Sequence, residues 1–526
     1  MNTGWRRRTV LAAGAALGAA GCAPRGLAHI EGGFAGVSHE RGHRLRQPWP
    51  TRAPDVTHRV HTVIAGGGVA ALAAARALRL AGHDDFALLE LEDTAGGNSR
   101  GMQVGGIACP MGAHYLPLPG DDARAVQDLL QELGLRRRVA GRWQYDERAL
   151  CHSPQERLFF NGQWQDGLLP MQGVGAATLA QYRRFADAVA AAQRAAHYAI
   201  PVQKSSFAPV QLAQDAMLFE AWLDAQGLTD PHLRWYLDYC CRDDYGAGLD
   251  QVSAWAGLHY FGSRHGFQAP GDAVDERDAM LTWPEGNAWL VQRLAQPLAG
   301  HIHGGRVVAG VREERHAVEV LAWQGERLEA WTAGTVVLAL PLFVAHRLLD
   351  RPSDALRQAA TATAYAPWLV ANLQLDKPLL DRPGVPPAWD NVVYGSQALG
   401  YVDAMHQSLR PYAGATVLSA YSALPAGERE ALLQQPWSFW AGRVIDGLAP
   451  VHPDLRQRVQ RIDLMRYGHA MAIPRPGQQA SAAARGALRG GSGRVRFAHA
   501  DLAGYSVFEE AFTAGCEAAI APCRCA

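Results

Sequence analysis

The chain of 526 residues has almost no lysine, which occurs only at Lys204 and Lys377 among its 50 basic residues. Any mechanism that needs a lysine therefore has two candidates. Acidic residues also number 50, so the formal net charge is zero. Because nucleic-acid binding by counterion release needs a basic surface, this balance excludes nucleic acid as a main partner.

Cysteine and long apolar runs are scarce as well. Eight cysteines are too few for a disulfide scaffold at this length, and none has metal-ligand spacing with nearby histidines, so no metal site is predicted. We interpret Cys240 and Cys241 as buried thiols or an incidental disulfide. No later segment reaches the roughly 18 uncharged apolar residues of a membrane helix. The 48% hydrophobic content instead predicts a folded chain of two or more lobes.

The first 22 residues are typical of an export signal. Three arginines at positions 6–8 precede an apolar run too short to span a bilayer. The RRTVL stretch resembles a bacterial twin-arginine signal, and Gly21-Cys22 resembles the end of a lipoprotein cleavage box. We therefore expect a periplasmic protein, with either a lipid anchor at Cys22 or an ordinary secretory cleavage. Residues 23–57, which are rich in proline, are predicted to be a linker.

The stretch that begins at Thr62 predicts a dinucleotide site. A short β-branched strand precedes GGGVAA, and an alanine-rich helix follows it. In this G-x-G-x-x-A pattern Gly66 permits the tight turn, Gly68 lets the backbone approach a pyrophosphate, and Ala71 lets helix and strand pack closely. The helix N-terminus would then offer free N–H groups to the phosphates.

A second strand ends at Glu90, at the spacing where a carboxylate accepts both hydroxyls of an adenosine ribose. Glu92 is the rival for this role. The stretch from Glu90 to Arg100 resembles the E-x-x-x-x-x-G-G-R segment of the flavin amine oxidase superfamily, which includes carotenoid desaturases and protoporphyrinogen oxidases. The residues that carry the match are Glu90, Gly96, Gly97, Asn98, Ser99 and Arg100. Asn98 stands where arginine is usual, so Arg100 is the candidate for the phosphate-pairing role.

Later segments carry the same resemblance, at residues 283–290, 307–320, 336–341, 496–501 and 509–515. The likeness places the backbone of Val308 beside adenine and implies that Asp501 accepts a ribityl hydroxyl. It also places Glu510 and Ala511 at a helix start, where the Ala511 N–H would face the pyrimidine edge of the flavin. The implied cofactor is FAD.

The implied fold is α/β, with a Rossmann-like FAD-binding domain of the GR2 type and an inserted α+β substrate domain. We assign residues 58–110, 285–345 and 490–520 to the FAD-binding domain, and residues 111–284 and 346–489 to the substrate domain. A substrate site is expected where the two domains meet.

Four residues are candidates for catalysis: His114, Tyr467, His469 and Tyr505. His114 follows the flavin segment and is either an acid/base, a substrate anchor or a structural histidine. The surroundings of the other three resemble elements of spermidine-dehydrogenase-like bacterial members. His469 is close to where some relatives attach the flavin covalently, which leaves open whether the FAD is covalent.

The chain departs from the superfamily at the substrate side of the flavin. The two tyrosines that often hold the amine correspond to Ala470 and Val507, and the usual flavin-side lysine corresponds to Val370. Carboxylates that pair with a polyamine could come from the segment around Cys240, where Asp238, Asp243 and Asp244 lie. A solvated turn or a structural Arg–Asp pair is the alternative for these aspartates.

These features predict an exported FAD-dependent oxidoreductase that removes hydride from a carbon next to an amine nitrogen, most plausibly in a polyamine-like substrate. Its electron acceptor would be O2 or a periplasmic or membrane carrier. Two alternatives stay open. One is a desaturase or porphyrinogen-type dehydrogenase acting on an apolar substrate, and the other is a non-catalytic lipoprotein that carries a flavin.

Overall fold

The computed structural model describes residues 27, 29–272, 279–408, 414–479, 482–489 and 493–520. The predicted signal over residues 1–22, including Cys22, lies outside them. Within the described part, two large sheets and a helical layer make up most of the structure.

The helices are α1 (His39–His43), α2 (Val69–Leu80), α3 (Arg124–Glu132), α4 (Ala176–Ala195), α5 (Pro209–Asp215), α6 (Phe219–Ala225), α7 (Pro231–Tyr245), α8 (Ala254–Gly262), α9 (Ala288–Ala295), α10 (Leu342–Leu348), α11 (Asp354–Ala362), α12 (Arg429–Gln434), α13 (Trp437–Leu448), α14 (Leu455–Arg458), α15 (Ala482–Arg489) and α16 (Phe508–Ile520). The strands are β1 (Glu31–Ala35), β2 (Val56–Ala65), β3 (Phe86–Leu89), β4 (Gly101–Val104), β5 (Ile107–Pro110), β6 (Tyr115–Pro117), β7 (Arg136–Val139), β8 (Arg142–Tyr145), β9 (Glu156–Phe160), β10 (Gln163–Asp166), β11 (Met280–Thr282), β12 (Ile302–His303), β13 (Arg306–Glu313), β14 (Val318–Gln324), β15 (Arg327–Leu338), β16 (Ala364–Leu375), β17 (Asp390–Val393), β18 (Gly400–Asp403), β19 (Thr416–Ala423), β20 (Val459–Ile473) and β21 (Val495–Phe497).

A seven-stranded sheet forms the nucleotide-binding half of the molecule. Its parallel part runs β12-β3-β2-β15, and β21 pairs with the second half of β15. The first half of β15 continues into an antiparallel meander with β14 and β13. The buried ends of β2 and β3 are apolar, as parallel strands covered on both faces require. Helices α2 and α16 pack on this sheet so closely that a Cβ at Gly515 would lie 2.1 Å from the Ala70 carbonyl oxygen.

An eight-stranded sheet, in the order β1-β20-β16-β19-β18-β17-β9-β10, forms the other half. The insert from α4 to α8 packs against one face of this sheet, around large buried side chains such as Phe185 and Trp255. A second core on the sheet is centred on Trp440 of α13. The predicted α/β fold with a Rossmann-like domain and an α+β partner is confirmed.

The expected linker over residues 23–57 is wrong for much of its length. Its residues Glu31–Ala35 form β1, which pairs in parallel with β20 along the edge of the eight-stranded sheet. Trp49 packs on Gly310 of β13, and the segment then enters β2. The proline content indicates a linker, but the prolines at positions 48, 50 and 54 lie beyond β1 and α1, and Pro24 lies outside the described residues.

The expected domain boundary near residue 111 also differs from the packing. Leu116, Val126 and Leu129 share one core with Ile64 and Ala71 of the nucleotide-binding half. The stretch with α3 therefore belongs with the seven-stranded sheet, because its apolar helix face is buried there.

Two general findings concern the described residues only. No helix there has both the length and the apolar character that crossing a membrane requires. The five cysteines among them are free thiols: Cys109, Cys151, Cys240, Cys241 and Cys516.

Candidate active site

The turn between β2 and α2 has the geometry of a phosphate cradle. Gly66 has a φ of 105°, and a Cβ there would lie 2.5 Å from the Ala339 carbonyl oxygen. A Cβ at Gly67 would lie 2.4 Å from Glu90 Oε2. Gly68 caps α2 without any side-chain hydrogen bond. The first N–H groups of α2 therefore remain available to an anion.

Two further glycines, Gly96 and Gly97, pack against this turn. The Gly96 N–H donates to the Gly67 carbonyl oxygen at 2.7 Å, and a Cβ at Gly97 would lie 3.1 Å from Gly68 Cα. Ser99 is buried, and its N–H donates to the Gly96 carbonyl at 2.9 Å. Only glycines allow two backbone segments to approach this closely.

Two carboxylates follow β3, and their surroundings differ. Glu90 accepts the Glu92 N–H at 2.8 Å and faces the glycine turn, where burial raises its pKa to about 7. Glu92 instead accepts the Ser38 N–H at 2.8 Å, and its Oε2 lies 3.8 Å from Arg100 Nη1. Glu90 is thus the carboxylate placed at the cradle, while Glu92 is engaged elsewhere.

Asp501 is fully buried. We call the region between the glycine turn beside Glu90 and Asp501 the cofactor cleft. Asp501 Oδ2 accepts the Leu342 N–H at 2.9 Å and the Tyr365 hydroxyl, and its Oδ1 lies 3.1 Å from His499 Nδ1. Although burial acts to raise the pKa of Asp501, the His499 charge and these hydrogen bonds lower it below its usual value. Asp501 is therefore a carboxylate held ionised inside the protein.

Glu510 and Ala511 lie in the first turn of α16. Glu510 is fully buried, and its Oε1 accepts the Tyr505 hydroxyl at 3.2 Å and the Val202 N–H at 2.5 Å. Burial raises its pKa to about 7. The Ala511 N–H donates to the Val507 carbonyl oxygen at 3.2 Å.

A small cavity of about 10 Å³ lies between α7 and the eight-stranded sheet. Acidic and aromatic side chains from separate elements line it, and four of them are His114, Asp243, Asp390 and Tyr421. The His114 ring stacks on Tyr421 with centroids 4.2 Å apart and lies 5.5 Å from the ring of Trp389. One wall of the cavity is therefore aromatic and another acidic.

Asp243 and Asp390 of the acidic wall, together with the neighbouring Glu156, share an unfavourable environment. Burial, followed by the Asp244 charge, raises the pKa of Asp243 to about 7. Burial and Asp166 do the same for Glu156, and burial with its acidic neighbours raises the pKa of Asp390 well above its usual range. Among the described residues, no basic side chain lies within 4 Å of the carboxylates of Asp243, Glu156 or Asp390. Such a group of buried acids would be stabilised by a cation.

Local sequence explains how α7 carries Asp243 to this place. Pro231 stands in the first turn, the Asp230 side chain accepts the N–H groups of His232 and Leu233, and Gly246 ends the helix at a φ of 69°. These are standard start and stop signals. The Tyr115 hydroxyl donates to Asp243 Oδ2 at 3.1 Å and fixes the carboxylate toward the cavity.

The sequence profile described as flavin containing amine oxidoreductase matches residues 69–521. The chain belongs to this family. It is therefore an FAD-dependent oxidoreductase, as the resemblance predicts.

Solved structures agree with the fold. A putrescine oxidase bound to putrescine is 18% identical, with a TM-score of 0.67 over 88% of this chain and 98% of that chain. Cyclohexylamine oxidase from Brevibacterium oxydans IH-35A is 17% identical, with a TM-score of 0.63 over 88% and 98%. A CLA-producing fatty acid isomerase from P. acnes is 17% identical, with a TM-score of 0.59 over 87% and 97%. The sequence matches no curated protein.

The family's FAD fits the residues of the nucleotide cradle. The glycine turn leaves room for a diphosphate, Ala71 is fully buried between helix and sheet, and Glu90 faces the turn with a carboxylate suited to a ribose. Val308 is buried in β13 on the same sheet. Asp501 provides the carboxylate at the opposite end of the cleft.

Two predicted FAD contacts remain predictions, and the structure gives the present partners of the groups concerned. The Arg100 guanidinium is buried, donates to the Gly97 carbonyl oxygen at 3.2 Å and lies toward Glu92. The Ala511 N–H is used within the helix, because α16 begins at Phe508. Asn98 donates to the Ala470 carbonyl oxygen at 3.0 Å and ties the glycine pair to β20.

The four candidate catalytic residues do not form one site. His114 lines the cavity, and burial lowers its pKa to about 4, so it is neutral at physiological pH. Tyr467 is buried and donates to the Met111 carbonyl oxygen at 2.7 Å, which makes it a support for the segment before His114. Tyr505 lies in the core against Tyr245 and Glu510, away from the cavity.

His469 lies on the exposed side of β20. Its ring is 4.8 Å from the ring of Phe343 and 5.8 Å from that of Tyr365, which bonds Asp501. His469 thus borders the cofactor cleft rather than the cavity, which is consistent with a place near the flavin and not with a substrate contact.

The most informative cavity residues were not predicted. Asp390 of β17 lines the cavity, and Glu156 of β9 acts on it electrostatically; both are far from α7 in sequence. The available signal was a carboxylate inside an apolar run, Ala388-Trp389-Asp390 before two valines. Of the three predicted aspartates, only Asp243 reaches the cavity, because Asp238 pairs with Arg242 and Asp244 with Arg264.

Neither lysine contributes to the cavity. Lys204 and Lys377 are both exposed, and Val370 is buried in β16. The arrangement therefore differs from the superfamily's usual one with a flavin-side lysine and two caging tyrosines.

Proposed function

We propose that this oxidoreductase oxidises an amine in the cavity lined by His114, Asp243, Asp390 and Tyr421. The observation that carries the proposal is the group of carboxyl groups at Asp243, Glu156 and Asp390, which form no ion pair within 4 Å among the described residues, although the charges of Arg264 and Arg242 act on Asp243. An ammonium group of a diamine or polyamine supplies the missing positive charge, and the aromatic wall suits its methylene chain. The putrescine oxidase likeness supports the same substrate class.

FAD supplies the hydride acceptor when it is bound. The protein orients the amine and prepares the nitrogen. Asp243, whose pKa is raised to about 7, can take the proton of the ammonium group that is to be oxidised and leave a neutral amine, while the second ammonium group of a diamine keeps its charge. His114 is neutral at physiological pH and stacks on Tyr421, so it contributes an uncharged aromatic surface to the cavity wall.

Anaerobic bleaching of the flavin tests this proposal. The purified protein is mixed with putrescine, spermidine, a monoamine, an amino acid and an apolar alkene, and the flavin absorbance is followed. We expect bleaching by diamines or polyamines. Bleaching by an alkene or a porphyrinogen but by no amine would sink the proposal in favour of a desaturase-type reaction. Re-oxidation in air then separates an O2-using oxidase from an enzyme that needs a carrier.

We further propose that the protein is exported to the periplasm by the twin-arginine route, as the RRTVL stretch and Cys22 suggest. Cell fractionation of the chain with Arg7→Lys and Arg8→Lys tests this. The protein should move from the periplasm to the cytoplasm. Separately, Cys22→Ser should release it from membranes if the cysteine is lipidated.

A further inference from the structure

Residues 36–46, here called the N-terminal strap, connect the two rims of the cofactor cleft. On the first rim, the Ser38 N–H donates to Glu92 Oε1 at 2.8 Å. Arg41 Nη1 donates to the Leu91 carbonyl oxygen at 3.1 Å and lies 2.8 Å from Asp93 Oδ1. The strap is therefore fastened to the loop that carries Glu90.

The strap is also fastened to the second rim. The Leu45 carbonyl oxygen accepts the Arg347 Nε–H of α10, and the Leu45 side chain packs against the core beneath that helix. Helix α10 starts at Leu342, whose N–H binds Asp501. The strap thus spans from the ribose-side loop to the element that holds Asp501.

Between these attachments the strap contributes positive charge. His43 and Arg46 act electrostatically on His469, as does Arg429 of α12, and together with burial they lower the pKa of His469 to about 4. Among the described residues, no carboxylate lies within 4 Å of His43, Arg46 or Arg429. Like charges gathered in this way are unfavourable unless an anion joins them.

The cationic group lies beside the glycine-rich cradle. His469 precedes Ala470, whose carbonyl oxygen accepts the Asn98 side-chain N–H at 3.0 Å. Gly97, the neighbour of Asn98, lies against Gly68 at the start of α2. Asn98 carries no charge, and Arg100 is directed elsewhere, so this part of the cradle has no other nearby cation on the glycine loop.

We infer that the N-terminal strap is part of the FAD site, closing the cleft over the bound dinucleotide and bringing His43 and Arg46 to the diphosphate. The diphosphate is the anionic part of FAD, so it is the group that this cationic cluster fits. The inference depends on the family's cofactor and not on the proposed amine substrate.

Enzymatic cleavage of the bound FAD measures closure without using catalytic turnover. A phosphodiesterase that splits FAD into FMN and AMP is added to the holoenzyme, and AMP release is followed. This works whether or not the flavin is covalent. Ser38→Pro removes the N–H donor to Glu92, and Ser38→Ala keeps it while losing the same hydroxyl, which caps α1. We expect at least tenfold faster AMP release for Ser38→Pro than for Ser38→Ala.

A second pair of variants tests the charges. In the double variant His43→Ala with Arg46→Ala, AMP release should be at least tenfold faster than in the wild type and less sensitive to salt. Arg44→Ala is the matched control, because Arg44 lies on the same strap but donates to the Gly325 carbonyl oxygen and covers Trp323. Unchanged release in Ser38→Pro and the double variant would overturn the inference. So would a lower melting temperature without faster release, which would indicate a merely structural strap.

Discussion

In the nucleotide cradle the binding groups are backbone atoms and one carboxylate drawn from residues 66–100, whereas the cavity uses residues from one helix, three strands and the loops that contain His114 and Leu399. The cradle depends on what is missing, namely Cβ atoms at Gly66, Gly67 and Gly97. The cavity depends on what is present without compensation, namely buried carboxyl groups. The cradle requires two backbone segments to pack closely against each other and against the ligand. The carboxyl groups of the cavity are destabilised by their surroundings, and a cationic ligand would stabilise them.

The largest effect is expected from a substitution that disrupts the nucleotide cradle. Gly66→Ala should abolish stable FAD binding, with at least a 100-fold loss of affinity, because its Cβ would lie 2.5 Å from a backbone oxygen. Gly82→Ala is the control, since Gly82 also has a positive φ, 79°, but has nothing within 4 Å of the added atom. It should retain FAD and lose roughly 1–2 kcal/mol of stability. Flavin content after gel filtration and denaturant unfolding measure the two effects, and equal flavin loss would contradict this account.

The second largest effect is expected from a substitution that removes a carboxylate from the cavity. Asp390→Asn should lower kcat/KM for putrescine roughly 100-fold, because the ammonium group loses a buried charged partner. A monoamine should lose less. Asp238→Asn, which affects an aspartate paired with Arg242 near the surface, should change kcat/KM less than twofold. Steady-state kinetics with both substrates provide the measurement. Similar losses of kcat/KM in the two variants would show that the cavity is not the amine site.

The pH dependence of folding stability tests the carboxyl groups of the cavity directly. Asp243 and Glu156 have folded pKa values raised to about 7, so the folded protein binds more protons than the unfolded chain between about pH 4 and 7. Stability should therefore fall as the pH rises through this window, by up to about 1.4 kcal/mol per pH unit for each proton. Urea unfolding at several pH values tests this, with the double variant Asp243→Asn and Asp390→Asn as the comparison. The variant should show a flatter profile, and putrescine should protect the wild type more at pH 8 than at pH 5.

The smallest expected effect concerns the segment between the two sites. Tyr467→Phe removes the hydrogen bond to the Met111 carbonyl oxygen and should reduce stability by about 1 kcal/mol, with flavin content unchanged. Tyr421→Phe, which removes a bond to the neighbouring Gly112 carbonyl, should have a similar effect on stability but also alter amine kinetics, because Tyr421 lines the cavity. Thermal melts and kcat/KM distinguish them. Loss of flavin in Tyr467→Phe would mean that its role lies in cofactor binding.

The same contrast explains what could be predicted from sequence. The cradle follows from local pattern, because a strand, three glycines, a helix and Glu90 are consecutive in the chain and each has a steric or electrostatic reason to be there. The family resemblance extended this prediction to Asp501. It also placed Glu510 and Ala511 at a helix start, and both lie in the first turn of α16, but the exact first residue depends on packing and does not follow from the pattern.

The cavity could not be predicted in the same way. Glu156, Asp243 and Asp390 meet only because β9, β17 and α7 are brought together by the tertiary fold, and single-sequence patterns do not encode such contacts. The N-terminal strap was missed for a related reason. Prolines at positions 24, 48, 50 and 54 flank the strap and indicate a linker, and the neighbouring residues Glu31–Ala35 become a strand only because the exposed edge of β20 pairs with them.

The pairing of β1 with β20 has a consequence for biosynthesis. The partner strand is made near the end of translation, so Glu31–Ala35 has no place in the sheet until Val459–Ile473 has emerged from the ribosome. Residues Glu31–Ala35 therefore join the sheet only at a late stage of folding. The twin-arginine export proposed above moves proteins that are already folded, so it would have to wait until this edge of the eight-stranded sheet is complete.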